Sequence, residues 1–463
     1  MFFLQIGCRS AGKSSKTQNQ IFLAGTHAGT IGNGQRELRG DRENLGLSFK
    51  RLKPLATESA KPALDPSRGA SDPSRPLGVC VHFPFCGSRC PYCDFAVAVR
   101  SQLPHDEYAE AVLSELSARS RWWDGKAPLA SIYFGGGTPG LWRPDALGRV
   151  LAGVRQTFSG GAELEITVEA NPGDLDGTIL RDLRALGVNR LSFGAQAFQD
   201  RLLLRLGRRH EAAAIPRAFE AARAAGFQNL CADLMFGLPG QTMDDWRASL
   251  AALCALGPEH ITAYALTVEP STRFGALERA GKLDRPEDDM VAAMYSACHD
   301  ALADAGYEHY EISSYARPGR RSVHNSLYWT MGAFLGLGVS ASSFRPLANG
   351  EGWRFSNPRS VGTYLRSVRA HAGAAPPEEV ELRSPAQLED EALWLGLRMS
   401  DGVNRHAHEK RYGHDPLSPP ERAAAAAACA AAGWLEVTPE RLRLLPAGFL
   451  FADEVAVRLG RHG

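Results

Sequence analysis

No apolar run in this chain of 463 residues approaches the roughly 20 residues that a helix needs to cross a bilayer, so no helical membrane span is expected. An excess of one charge sign is missing too: 52 basic against 51 acidic residues leave a formal net charge of +1. That balance offers no field to draw nucleic acid or an anionic membrane, and neither is expected as a partner. Lysine is scarce. Five of the eight lysines (Lys13, Lys16, Lys50, Lys53 and Lys61) fall within the first 77 residues, and the remainder is basic almost entirely through arginine. Nine cysteines, spread from Cys8 to Cys429, are too few for a disulfide framework. Their one tight cluster, over 80–93, points instead to a metal and to a reducing, cytoplasmic compartment.

What is present divides the chain. Residues 1–77 are rich in Gly and Ser, with three prolines between 64 and 77, and sustain neither helical nor strand periodicity. They read as a disordered extension, or as translation from a start codon placed too far upstream. Residues 1–35 lack acidic side chains and carry Arg9, Lys13 and Lys16, which leaves a transit peptide open. From residue 78 onward, apolar runs of strand length alternate with helical patterns. Strands are expected at 78–83, 130–134, 163–169, 190–194, 230–235, 260–266 and 310–313. Helices are expected at 105–118 and from 144. Repeated βα units imply an α/β fold with a parallel sheet, and chemistry spread over many strand ends fits a partial or complete (β/α) barrel better than a doubly wound sheet. This core is expected over 78–315, followed by a connecting segment over 316–370. Residues 371–463 read as a small helical or winged-helix-like domain, with an alanine run at 423–432 and strand-like pieces at 435–437 and 442–444. Its expected role is to cover substrate or contact partners.

The strongest local signal is the run Cys86-Gly-Ser-Arg-Cys90-Pro-Tyr-Cys93. Spacings of four and three residues let three thiolates converge in one loop, each on a different iron of a cubane [4Fe–4S] cluster. A structural zinc site would want a fourth Cys or His at short spacing, and none follows. The fourth iron is thereby left open to chelate a small molecule. Further residues fall where a ligand of that cluster would lie. A Gly-Gly-Gly-Thr run, 135–138, follows the second expected strand, and glycine there lets backbone approach a ligand closely. Glu169, Gln196 and Asp233 end later strands, and Arg208 lies one helix-length beyond Gln196. A strand-end carboxylate suits the two hydroxyls of a ribose, and an arginine fork suits a carboxylate.

The three-cysteine run resembles the hallmark of the radical S-adenosylmethionine superfamily, whose open iron is chelated by the amino and carboxylate groups of the methionine part. The Gln-to-Arg and Gln-to-Asp separations resemble those of the oxygen-independent coproporphyrinogen III oxidase family and its relatives. That resemblance implies a cosubstrate site lined by Tyr92, Gly135, Gly136, Thr138, Glu169, Gln196, Arg208, Asp233 and Ala265. Cys80 stands where relatives usually have Tyr, and is expected at most to touch the ligand weakly without ligating iron.

The family has two branches. In the oxidase branch a further Cys follows the triad two residues later, and an Arg-Tyr-Thr-Ser-Tyr-Pro segment covers the site. Here Asp94 and Phe95 follow the triad, and residues 1–77 contain no such segment. The run His324-Asn-Ser-Leu-Tyr328-Trp329 is similar to the signature of the other branch, the heme chaperones called HemW. A neutral imidazole is a good axial ligand for heme iron, so His324 is the expected heme contact, with Tyr328 and Trp329 placed to stack on a porphyrin. His309, His406, His408 and His414 are alternatives. The resemblance therefore implies a heme chaperone with heme as cargo, rather than an enzyme with assigned catalytic residues. Its implied partners are heme-acceptor proteins such as respiratory cytochromes, an electron donor for the cluster, and transiently the membrane-bound respiratory proteins. The alternative it leaves is radical decarboxylation of the propionates of coproporphyrinogen III.

Overall fold

A computed structural model describes residues 69–123, 128–373 and 375–460. The readings made for residues 1–68 lie outside the described residues.

The centre of the molecule is β1 (Leu77–Phe83), a strand with every residue buried. A run such as Leu-Gly-Val-Cys-Val-His-Phe has no polar face to show to water, which suits a parallel strand covered on both sides. Alternating units follow. Helix α1 (His105–Arg119) leads to β2 (Leu129–Gly136), and α2 (Pro144–Thr157) to β3 (Gly160–Ala170). Helix α3 (Gly177–Ala185) precedes β4 (Arg190–Gln196), α4 (Ala214–Ala224) precedes β5 (Leu230–Phe236), and α5 (Met243–Leu256) precedes β6 (His260–Ala265). Local chemistry sets the helix ends. Helix α5 starts in a capping box, in which the Thr242 hydroxyl accepts from the Asp245 amide while the Asp245 carboxylate accepts from the amide of Thr242, and it ends at the left-handed Gly257.

Helix α6 (Asp288–Asp304) then leads to β7 (Glu308–Glu311) and β8 (Ser314–Ala316), followed by α7 (Val323–Trp329) and the strands β9 (Ala333–Gly338), β10 (Ser342–Pro346) and β11 (Gly352–Ser356). Past α8 (Val361–Ala370), β12 (Glu379–Arg383) completes a twelve-stranded sheet of order β12-β11-β10-β9-β1-β2-β3-β4-β5-β6-β8-β7. The seven strands from β9 to β6 are parallel, and the flanking pairs are antiparallel. The sheet is an open, partial (β/α) barrel whose strand C-termini share one edge, with one large apolar core between the sheet and its helices.

Three expectations are corrected here. Residues 69–77, read as part of a disordered extension, join the fold: Ser71 bridges Leu347, and Arg345 donates to the Ser71 hydroxyl and the Gly69 carbonyl. Residues 316–370, read as a connecting segment, supply a helix pair and three strands of the main sheet, β9 lying directly against β1. The single strand expected over 310–313 is broken, because the Ile312 amide bonds the Arg398 carbonyl and the Ser313 amide bonds the Glu311 side chain.

The C-terminal unit comprises α9 (Pro385–Gly396), α10 (Arg405–Tyr412), α11 (Pro420–Ala431) and α12 (Ala452–Leu459). Short strands β13 (Val403–Asn404), β14 (Leu435–Val437) and β15 (Arg441–Leu444) form a second sheet of order β13-β15-β14. This unit has its own core around Leu393, Cys429, Leu442 and Val455. Among the described residues no helix is long and apolar enough to cross a membrane.

Candidate functional site

The loop leaving β1 carries Cys86, Cys90 and Cys93, and two backbone bonds tie it to the glycine run that ends β2. The Gly137 amide donates to the Phe83 carbonyl at 2.8 Å, and the Thr138 amide to the Phe85 carbonyl at 2.9 Å. Gly136 has φ +107, and a Cβ there would fall on the ring of His82, so only glycine lets the two loops meet. The Thr138 hydroxyl lies 3.5 Å from the Cys86 sulfur, and an Arg208 nitrogen 3.9 Å from the Cys90 sulfur.

All three thiols open onto one cavity of about 2160 Å³ at the C-terminal edge of the sheet. Burial pushes the Cys86 thiol up to about 11 and the Cys93 thiol up to about 12, with nearby thiols adding to both shifts. Such groups give up their protons when a cationic centre takes the thiolates, so the donor set fits an iron–sulfur cluster.

Tyr92, Gly136, Thr138, Glu169, Gln196, Arg208, Asp233 and Ala265 line the same cavity. Glu169 accepts from the Tyr133 hydroxyl at 2.6 Å and from the Gly136 amide at 3.2 Å, and burial raises its pKa as it raises that of Asp233. Gln196 is a non-glycine residue at φ +66 and accepts from the Tyr264 hydroxyl at 3.0 Å. A side chain held in that sparsely populated conformation at a strand end is a mark of a built site. Arg208 is held by the Gly194 carbonyl at 2.7 Å and by the Asn171 side chain.

Two residues of the expected set stand behind the wall. Gly135 does not line the cavity, and a Cβ on it would come within 2.7 Å of the Tyr133 ring, so it makes room for the tyrosine that holds Glu169. Cys80 is wholly buried within the sheet, paired in register with Tyr133 and Gly336, and burial pushes its thiol up to about 12. It reaches neither the cavity nor the other thiols' loop.

His324, the expected heme contact, lies away from the cavity. Its Nδ1 lies 2.8 Å from the Ser131 hydroxyl and its Nε2 2.9 Å from the Tyr328 hydroxyl, so both ring nitrogens are engaged. The ring is 1% exposed and does not line the cavity. Glu165 accepts from the amides of Val323 and His324 and so anchors the start of α7. Nor do Tyr328 and Trp329 line the cavity; Trp329 is buried, with the Arg398 guanidinium 5.6 Å from its ring. The motif is a packing device of the barrel interior.

The C-terminal unit was expected to cover substrate or contact partners, but the sequence singled out none of the residues with which it forms the far wall. The C-terminal unit closes the cavity with Trp394, Trp434, Phe449 and Phe451, the Trp434 and Phe451 rings being stacked at 4.4 Å, and Arg354, Arg383, Arg398 and Arg458 stand beside them. Sequence reasoning missed His210, the histidine among the described residues that lines the cavity. Burial and the neighbouring Arg208 lower its pKa to about 4, so its ring is neutral at pH 7, and its Nε2 has no hydrogen-bond partner. The Arg-Arg-His run that ends in His210 was the available signal. Phe95, two residues past the last thiol, lines the cavity as well.

An open (β/α) sheet with three thiols in the loop after its first strand is the architecture of a radical S-adenosylmethionine protein, and residues 80–253 match the Radical SAM superfamily. The fold is also that of coproporphyrinogen III oxidase (HemN) from Escherichia coli, with TM-score 0.73 and 22% identity over 85% of this chain and 92% of that one. Sequence likeness is higher elsewhere. The heme chaperone HemW of Synechocystis sp. is 39% identical over 334 residues, 71% of this chain and 79% of the relative. That of Bacillus subtilis is 36% identical over 334 residues, 72% of this chain and 86% of the relative. The chain belongs to the heme chaperone HemW family.

Proposed function

We propose that this protein is a heme chaperone that holds a [4Fe–4S] cluster on Cys86, Cys90 and Cys93, binds S-adenosylmethionine beside it, and carries heme in the same cavity for delivery to acceptor proteins. When bound, the cluster offers an open iron that chelates the amino and carboxylate groups of the cosubstrate. Arg208 presents its donor fork toward that methionine end, while Asp233 and Gln196 take polar atoms of the nucleoside. The cavity volume carries this reading. A single small ligand fills roughly 300–1,000 Å³, and about 2160 Å³ leaves room for a second, larger one.

Heme fits the wall that remains. Trp434 and Phe451 offer apolar faces, the arginines suit propionates, and His210 offers a neutral imidazole in place of His324. Phe95 fills the position of the oxidase branch's further cysteine. The names of the relatives support the chaperone reading. The remaining parts of the proposal are respiratory cytochromes as acceptors, an electron donor for the cluster, transient contact with membrane-bound respiratory proteins, and a cytoplasmic location.

The test is anaerobic reconstitution with iron and sulfide, followed by separate additions of heme and of coproporphyrinogen III with a reductant. Stable heme binding without porphyrinogen turnover is the expected result, and formation of protoporphyrinogen would overturn the proposal.

A further inference from the structure

We infer that the C-terminal unit carries a divalent-cation site, of the zinc class, formed by Glu389, His408 and His414. Glu389 projects from α9, His408 from α10, and His414 from the turn after α10. One ligand atom from each lies within 4.8 Å of the other two. His408 Nε2 is 3.4 Å from one Glu389 oxygen, and His414 Nε2 is 3.4 Å from the other. Four-coordinate zinc with bonds of 2.0–2.2 Å sets its ligand atoms about 3.3–3.5 Å apart, and each imidazole lies at that separation from one oxygen of the carboxylate.

The orientation of the rings argues for a cation between them. His414 Nδ1 lies 3.1 Å from the Asp415 carbonyl oxygen, which can only accept, so Nδ1 is the donor there and the ring is held with Nε2 toward Glu389. A backbone carbonyl on the far nitrogen is also what orients metal-binding histidines. His408 Nε2 is enclosed and makes no hydrogen bond, although His408 itself is only 5% exposed. Two imidazole nitrogens therefore converge on a buried carboxylate.

Arg422 touches the same carboxylate at 3.3 Å, yet its other terminal nitrogen is paired with Asp390 at 2.8 Å. Two imidazoles and a carboxylate form a zinc donor set with a fourth position for water. His414 is 36% exposed in its side chain and lines a surface groove with Glu389, which supplies the entry path.

The experiment uses the full chain with its cluster reconstituted, so that the three loop thiols are occupied. Zn²⁺ is titrated against a chromophoric chelator under anaerobic conditions, in the wild type, His414→Ala and Glu389→Gln. One Zn²⁺ per chain is expected, with affinity falling by about 100-fold or more in either variant. Thermal unfolding is followed alongside, and Zn²⁺ should raise the midpoint of the wild type but not that of His414→Ala. The half-exposed His414 keeps this test open if a buried-site variant fails to fold. Failure of the cluster-loaded wild type to bind Zn²⁺, or unchanged binding by His414→Ala, would overturn the inference and leave a plain imidazolium–carboxylate pair. The outcome does not depend on heme binding.

Discussion

Tyr133 lies nearly flat on the ring of His324, with 4.9 Å between centroids and 20° between planes, while its hydroxyl donates to Glu169 at 2.6 Å. One tyrosine thus joins the packing motif inside the barrel to a carboxylate in the cavity wall. His324→Ala removes two buried hydrogen bonds, to Ser131 and to Tyr328, and the stacked ring. A loss of about 2–4 kcal/mol in denaturant unfolding is expected, with the heme absorbance of the folded variant unchanged. Lost heme binding at unchanged stability would restore His324 as an axial ligand.

The same histidine gives a pH signature. Burial lowers the His324 pKa to about 3 in the folded state, against about 6.5 in an unfolded chain. Below pH 6.5 the unfolded state takes up a proton that the folded state refuses, so stability falls on acidification, by about 1.4 kcal/mol per pH unit for this one group. His82 and His309, each lowered to about 4 by burial, act with the same sign. Between pH 6.5 and 4.5 the stability of His324→Asn should therefore decline less steeply than that of the wild type. Parallel stability curves would show that His324 is protonated in the folded protein.

Cluster and cosubstrate should separate by mutation. Cys90→Ser is expected to abolish the broad visible absorbance of the reconstituted cluster. Asp233→Ala and Arg208→Lys are expected to keep it, while weakening S-adenosylmethionine at least about tenfold in equilibrium binding, a change of about 1.4 kcal/mol. Loss of the cluster in Asp233→Ala, or full affinity in both variants, would contradict the placement of the ligand along the strand ends.

His210 offers a sharper test of the heme seat. Its Nε2 has no partner in the described structure, and His210→Ala removes a backbone hydrogen bond to Ala195, so the variant should stay folded at a cost of about 1 kcal/mol. The expected outcome is a shifted Soret band and weaker heme retention with the cluster intact. An unchanged heme spectrum would remove His210 from the site.

Much of the fold and site was legible because it rests on local chemistry. The thiol spacing, the glycine run ending β2, and the strand-end Glu169, Gln196 and Asp233 are all set by short stretches of chain. What could not be read depends on distant contacts. Strand β9 carries Gly336 and Gly338 and shows no alternating pattern, yet it pairs with β1 along its whole length, while Gly336 leaves room for the backbone of Ser342 on β10. His324 looked like a metal ligand because its partner Ser131 lies 193 positions away, out of reach of any motif. Cys80 was expected to touch the ligand weakly from its place in the family pattern alone, and its burial between Tyr133 and Gly336 depends on neighbouring strands that the pattern does not show. The covering role of the C-terminal unit was expected, but not its residues: Trp394, Trp434 and Phe451 share a cavity with the thiol loop only in three dimensions.

The central claim is that the cavity carries heme in order to give it away. The direct measurement loads the reconstituted protein with heme, mixes it anaerobically with an apo-form of a b-type cytochrome, and follows the Soret band of each partner after separation. The account predicts that heme moves to the acceptor, and that the Trp434→Ala and His210→Ala variants load less heme from the start. Heme that stays on the protein while added coproporphyrinogen III is decarboxylated would contradict it.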